Sequence, residues 1–118
     1  RHSPELRIVF TISPIRHFKD GAHGNTLSKA TLHLATDMLT CLCPGTEYFP
    51  AYELLVDDLR DYRFYAADML HPSDVAADYV WQHFTATYFT TGGRAELARR
   101  AAAIRASRHR PITGGNSL

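Results

Sequence analysis

Cysteine is nearly absent from this chain of 118 residues: there are two, Cys41 and Cys43, in a C-x-C pair. Cysteines that close do not bridge each other without strain, and no second pair completes a zinc site. The sequence therefore excludes a disulfide framework and a cysteine zinc centre, and free thiols in a reducing, cytoplasmic compartment are the expectation. No run approaches the ~18 apolar residues of a membrane span, and no secretory leader is visible. A glycine-rich phosphate loop is also missing, since Gly92-Gly93 and Gly114-Gly115 read as a helix stop and a flexible tail. There is no His-x-x-x-His pair and no His–carboxylate cluster at metal spacing, so neither a metal nor a cofactor is expected.

What is present suits one small globular domain, with 45% hydrophobic and 21% charged residues. The net charge of +1 is unevenly placed: from Arg94 onward there are six Arg against Glu96 alone, so the first 93 residues are mildly acidic. The chain opens at Arg1 and enters a strand almost at once, which reads as the C-terminal part of something longer.

Leu6–Ile12 is short, apolar on both faces and rich in β-branched residues, as a buried parallel strand would be. Asn25 reads as the N-cap of a helix to about Leu42, with Leu27, Ala30, Thr31, Leu34, Ala35, Met38 and Leu42 on its apolar face. Tyr48–Val56 reads as a second strand, with Pro50 implying an edge or a break. Residues 57–63 are polar and read as a loop or short helical turn. Ser73 then caps a helix from Asp74 to about Phe89, whose apolar face is Ala76, Tyr79, Val80, His83, Phe84 and Tyr88. A third helix, Arg94–Arg108, is rich in Ala and Arg, and Pro111–Leu118 has the composition of a disordered tail. This order predicts an α/β fold with a parallel sheet, with residues 1–92 forming the body and 93–118 a basic helical tail. Sites in such sheets form where strands end, so residues 13–21 and 57–72 are expected to share one edge.

Asp68-Met69-Leu70-His71-Pro72-Ser73, just before a capped helix, is the most informative stretch. A carboxylate three residues ahead of a histidine can hold the imidazole in one tautomer and stabilise the imidazolium formed when it takes a proton. His71 is then a general base and Asp68 its orienter, with a Ser or Cys from elsewhere as nucleophile. Arg16 and His17, after the first strand, are candidate contacts for an anionic or carbonyl group of a substrate. Arg63 is a third candidate: Arg60, Asp61, Tyr62 and Arg63 form either an ion-pair lattice or a recognition element, since Arg grips carboxylate or phosphate bidentately. His33 and His83 read as packed or interfacial histidines, and Asp57-Asp58 as a solvated turn.

The blocks F-T-I-S-P-I-R-H (10–17) with Asp20-Gly21, S-K-A (28–30), Y-F-P-A-Y-E (48–53), D-L-R-D-Y-R-F-Y (58–65) and D-M-L-H-P (68–72) closely resemble the C-terminal half of GSCFA-domain proteins. That family is similar to the SGNH (GDSL-like) hydrolases, which implies a flavodoxin-like three-layer fold and a Ser–His–Asp triad ending in a D-x-x-H block. By that resemblance Asp68 and His71 are the last catalytic block, and the substrate is an ester, acylated carbohydrates included. The G-S-C-F-A motif, where relatives keep the nucleophile, does not occur here, nor do the upstream Gly and Asn oxyanion donors. Losing even one such donor typically costs about 10²–10³ in rate, so the chain alone is expected to have little hydrolase activity.

A rival expectation is a non-enzymatic binding module whose Arg94, Arg99, Arg100, Arg105, Arg108 and Arg110 contact an anionic partner. That helix has no aromatic residue for base stacking, so nucleic acid is not expected as the partner. Self-association through an exposed sheet edge is a further expectation.

Overall fold

The computed structural model describes Ser3 and residues 5–108, and within them the chain is a mixed α/β protein, mostly helical. Its elements are β1 (Ile8–Thr11), α1 (Gly21–Leu42), β2 (Thr46–Phe49), α2 (Ala51–Glu53) leading into a π-helical turn (Leu54–Leu59), a 3₁₀ turn (Tyr62–Phe64), α3 (Asp74–Tyr88) and α4 (Thr91–Arg108). The chain divides into two compact units, Arg1–Gln82 and His83–Leu118.

In the first unit β1 and β2 pair in parallel, Ile8 with Thr46 through Thr11 with Phe49, joined by the crossover helix α1. The strand ends are further tied by the Thr11 hydroxyl donating to the Phe49 carbonyl (2.8 Å). β1 is parallel as expected but not a buried strand: Ile8 and Thr11 are exposed, and Ile12, one residue beyond, is the buried one. Among the described residues the buried apolar side chains are Ile12, Phe49, Ala51, Leu55 and Ala76.

The second strand ends much earlier than the sequence suggests. Pro50 has no N–H for a ladder, and its carbonyl instead accepts from Leu54 N (3.0 Å), which opens a helix. Ala51 and Leu55, four apart, then bury one face of that helix, so Tyr52–Val56 is helical and not extended. The aromatic and aliphatic residues there look strand-like one by one, but their burial follows the helical period.

α1 departs further from expectation. It begins at Gly21, so Asn25 lies inside the helix and is not its cap. Its buried residues are Asn25 and Lys29, whereas Leu27, Leu34, Met38 and Leu42 of the anticipated core face are exposed. The reason lies in the segment it packs on. Residues 13–17 run without a ladder partner, and α1 meets their backbone needs: Asn25 Oδ1 accepts from His17 N (3.0 Å) and Lys29 Nζ donates to the Ser13 carbonyl (2.6 Å).

α3 is capped as anticipated, with Ser73 Oγ accepting from Ala76 N (3.3 Å). In the second unit, Phe84 packs its ring against Tyr88 and Phe89 (centroids 5.0 and 6.0 Å). α4 places Arg99 and Arg100 on the same carboxylate, Glu96, one turn away. Arg110 and the predicted tail Pro111–Leu118 lie outside the described residues. Among the described residues no helix is long and apolar enough to cross a membrane.

Candidate functional site

The D-x-x-H stretch folds into a tight loop built around one carboxylate. Asp68 Oδ1 accepts from the backbone amides of Leu70 (2.9 Å) and His71 (3.0 Å), which winds the loop about its own side chain. Met69 is carried into the left-handed region (φ 61°), unusual for a residue with a long side chain and a mark of an over-determined turn. Ala66 N donates to the His71 carbonyl (2.8 Å) and Ser73 N to the Phe64 carbonyl (2.7 Å), closing the loop's base.

With Oδ1 so occupied, Oδ2 meets the imidazole: His71 Nδ1 lies 2.5 Å from it. A carboxylate only accepts, so the proton of this hydrogen bond sits on Nδ1, and the neutral ring presents its lone pair at Nε2. Among the described residues Nε2 has no hydroxyl, thiol or other partner. The two backbone amides, His71's first, and then the imidazole hold the Asp68 carboxyl down at about 2, so it is ionised across the neutral range. Both side chains are exposed, so the ring is fixed in orientation yet open to an incoming group.

The segment after β1 is joined to this loop, Arg16 N donating to the Leu70 carbonyl (2.9 Å), although the loop follows the helical turns of residues 51–64 and not a strand end, since β2 stops at Phe49. Beside that junction lies a cleft of about 330 Å³, lined by Pro14, Arg16, Asn25, Lys29, Tyr52, Leu55, Arg60, Tyr62 and Tyr65 among others. Its wall includes Leu55 and Val56 from the start of the π-helical turn and Arg60 just after it, the turn being closed by Arg60 N donating to the Leu55 carbonyl (3.1 Å) with Arg60 itself left-handed (φ 54°). Extra-residue helical turns of this kind occur often at functional sites.

Of the three residues the sequence offers for substrate contact, Arg16 lines the cleft, with its guanidinium 5.2 Å from the Phe18 ring centroid. His17 is fixed through its backbone to Asn25. Arg63 pairs with Asp61 (3.3 Å) and covers the Phe64 ring, the ion-pair use of that segment. Sequence analysis alone passes over Lys29, Tyr52 and Tyr65 as site residues, and from the Arg60–Arg63 segment it singles out Arg63 for substrate contact, not Arg60. The signals for them were Lys29 in the middle of a helix face and the D-L-R-D-Y-R-F-Y run, whose first arginine, not its second, reaches the cleft.

A second histidine–carboxylate pair stands apart. His33 Nε2 is 3.2 Å from Glu53 Oε1, Nδ1 is 2.7 Å from the Lys29 carbonyl, and the ring meets Tyr52 edge-on at 4.7 Å. Glu53 also accepts from the Tyr48 hydroxyl (2.6 Å), and burial together with that bond raises the phenol above its ordinary value.

The family model for the GSCFA family matches residues 1–84, all of the first unit and the start of the second. The chain belongs to the GSCFA family. No curated protein and no solved structure matches it. The GSCFA match includes both the Asp68–His71 loop and the cleft, and ends within α3 before α4 begins.

Proposed function

We propose that this GSCFA chain supplies the general base and its orienting carboxylate to an acyl-ester-cleaving or acyl-transfer site of the SGNH type. The observation that carries the reading is the 2.5 Å contact from Asp68 Oδ2 to His71 Nδ1, with Nε2 left unpartnered among the described residues. A Ser or Cys from outside this chain approaches Nε2, which takes the hydroxyl or thiol proton as the nucleophile attacks the acyl carbon. Asp68 stays ionised and stabilises the imidazolium. His71 then hands the proton to the leaving alkoxide, and the same base activates water or an acceptor alcohol to release the acyl group. The oxyanion donors accompany the nucleophile. The substrate is an ester, acylated carbohydrates included.

Labelling of the natural gene product with a fluorophosphonate and with iodoacetamide tests this. The expected result is labelling at one Ser or Cys that falls by about 10²–10⁴ in rate in His71→Ala. Labelling that survives His71→Ala, or none in the native protein, overturns it.

A further inference from the structure

The cleft beside the Asp68–His71 loop is electrostatically unfinished. Three cationic residues line it, Arg16, Lys29 and Arg60, and among the described residues none of them has a carboxylate within ion-pair distance. The acid on the cleft wall, Asp61, is already held by the Arg63 guanidinium and by Arg63 N (3.0 Å). Lys29 is the sharpest case: only 8% of it is exposed, and its protein partner is a neutral carbonyl, that of Ser13. A buried ammonium without a counter-ion is costly, and desolvation accordingly lowers the Lys29 pKa. Arg60 is committed only through Nε, which donates to the Asp57 carbonyl (2.5 Å), leaving the outer fork of its guanidinium open. Tyr52, Tyr62 and Tyr65 add phenol groups to the same wall.

We propose that this cleft binds the phosphoryl group of a small phosphomonoester. With Asp61 already neutralised by Arg63, the charges of Arg16, Lys29 and Arg60 are left unbalanced in the cleft, an environment that favours a phosphate dianion over a singly charged group. Phosphate oxygens would accept from the Lys29 ammonium and from the forks of Arg16 and Arg60, giving the buried charge the counter-ion it lacks. The volume of about 330 Å³ lies at the small end of ligand sites, room for a phosphoryl group and a compact body rather than a polymer. The Arg16 amide bonds the Leu70 carbonyl, so an occupied cleft lies next to the D-x-x-H loop. The assignment stands whether or not His71 acts as a base.

The test is calorimetric titration of the protein with phenyl phosphate, benzoate and phenol at low salt. Phenyl phosphate should bind, more tightly at pH 7 than at pH 5 as it gains its second charge near pH 6, and at least tenfold more tightly than benzoate. Lys29→Met should abolish binding, but it also removes the buried hydrogen bond to the Ser13 carbonyl and so perturbs folding. Arg60→Gly is therefore the second variant: it removes the guanidinium while giving the left-handed position the residue that adopts it freely. Arg60→Gly and Arg16→Met should each weaken phenyl phosphate at least tenfold, while His71→Ala changes its affinity less than twofold. Benzoate binding within threefold of phenyl phosphate, absence of phenyl phosphate binding, or unchanged affinity in both arginine variants overturns the proposal. Probe labelling that survives His71→Ala, or that is missing from the native protein, with phosphate binding intact would count against the base reading alone.

Discussion

The molecule contains a histidine–carboxylate pair twice, and the two copies are hydrogen-bonded differently. His33 and Glu53 meet across two helical elements, and every ring nitrogen of His33 faces an acceptor. His71 and Asp68 meet within one turn, and only Nδ1 of His71 is engaged. A histidine tied at both nitrogens joins elements together. A histidine tied at one nitrogen is oriented and still has a lone pair to offer. Under the function proposed above, what separates the two histidines is the count of their committed nitrogens, not the presence of a carboxylate.

The largest effect that would break this comparison comes from swapping the roles. Asp68→Asn keeps an oxygen for the two backbone amides but removes the charge that holds the Nδ1 proton. Probe labelling of the gene product should fall by about 10⁴, as loss of the orienting carboxylate does in such triads, while the protein still folds. His33→Ala should do the reverse: labelling within twofold of native, with a loss of about 1–2 kcal/mol in denaturant unfolding as Glu53 and the Lys29 carbonyl lose a partner.

Acid provides a third comparison. The folded Asp68 carboxyl is depressed to about 2, below its unfolded value near 4. A depressed carboxylate adds stability above its unfolded pKa, and that contribution disappears as pH falls through the folded one. The 66–73 loop should therefore keep its Leu70 and His71 amides protected from exchange above about pH 4 and lose that protection between about pH 4 and 2. Asp68→Asn should flatten this dependence, as followed by amide chemical shifts. The smallest effect lies next to His33. Leu34 on the outer face of α1 is 72% exposed, so Leu34→Gln should change unfolding free energy by under about 0.5 kcal/mol despite the loss of a leucine.

The D-x-x-H loop was legible because everything that builds it is local: Asp68, its two amides and His71 lie within four residues, so composition and order nearly suffice. The cap at Ser73 was legible for the same reason. The cleft was not, because its cations come from positions 16, 29 and 60, and only the parallel pairing of β1 with β2 and the crossover of α1 bring them together. The orientation of α1 was misread because amphipathic periodicity identifies an apolar face but not what lies opposite each face. Here the neighbour is an unpaired backbone segment, and hydrogen-bonding residues were drawn inward while leucines were left out.

By itself the sequence determined the family, the helix–strand alternation, the free C-x-C thiols and the Asp68–His71 pair, all features of short range or of ordered motif blocks. Only the tertiary structure decided where the second strand stops, which face of α1 is inside and that Lys29 and Arg60 share a cleft with Arg16. Those outcomes depend on which backbone groups and which charges meet across distant parts of the chain. Hydrogen bonding and desolvation are settled by that meeting, and no local pattern encodes it.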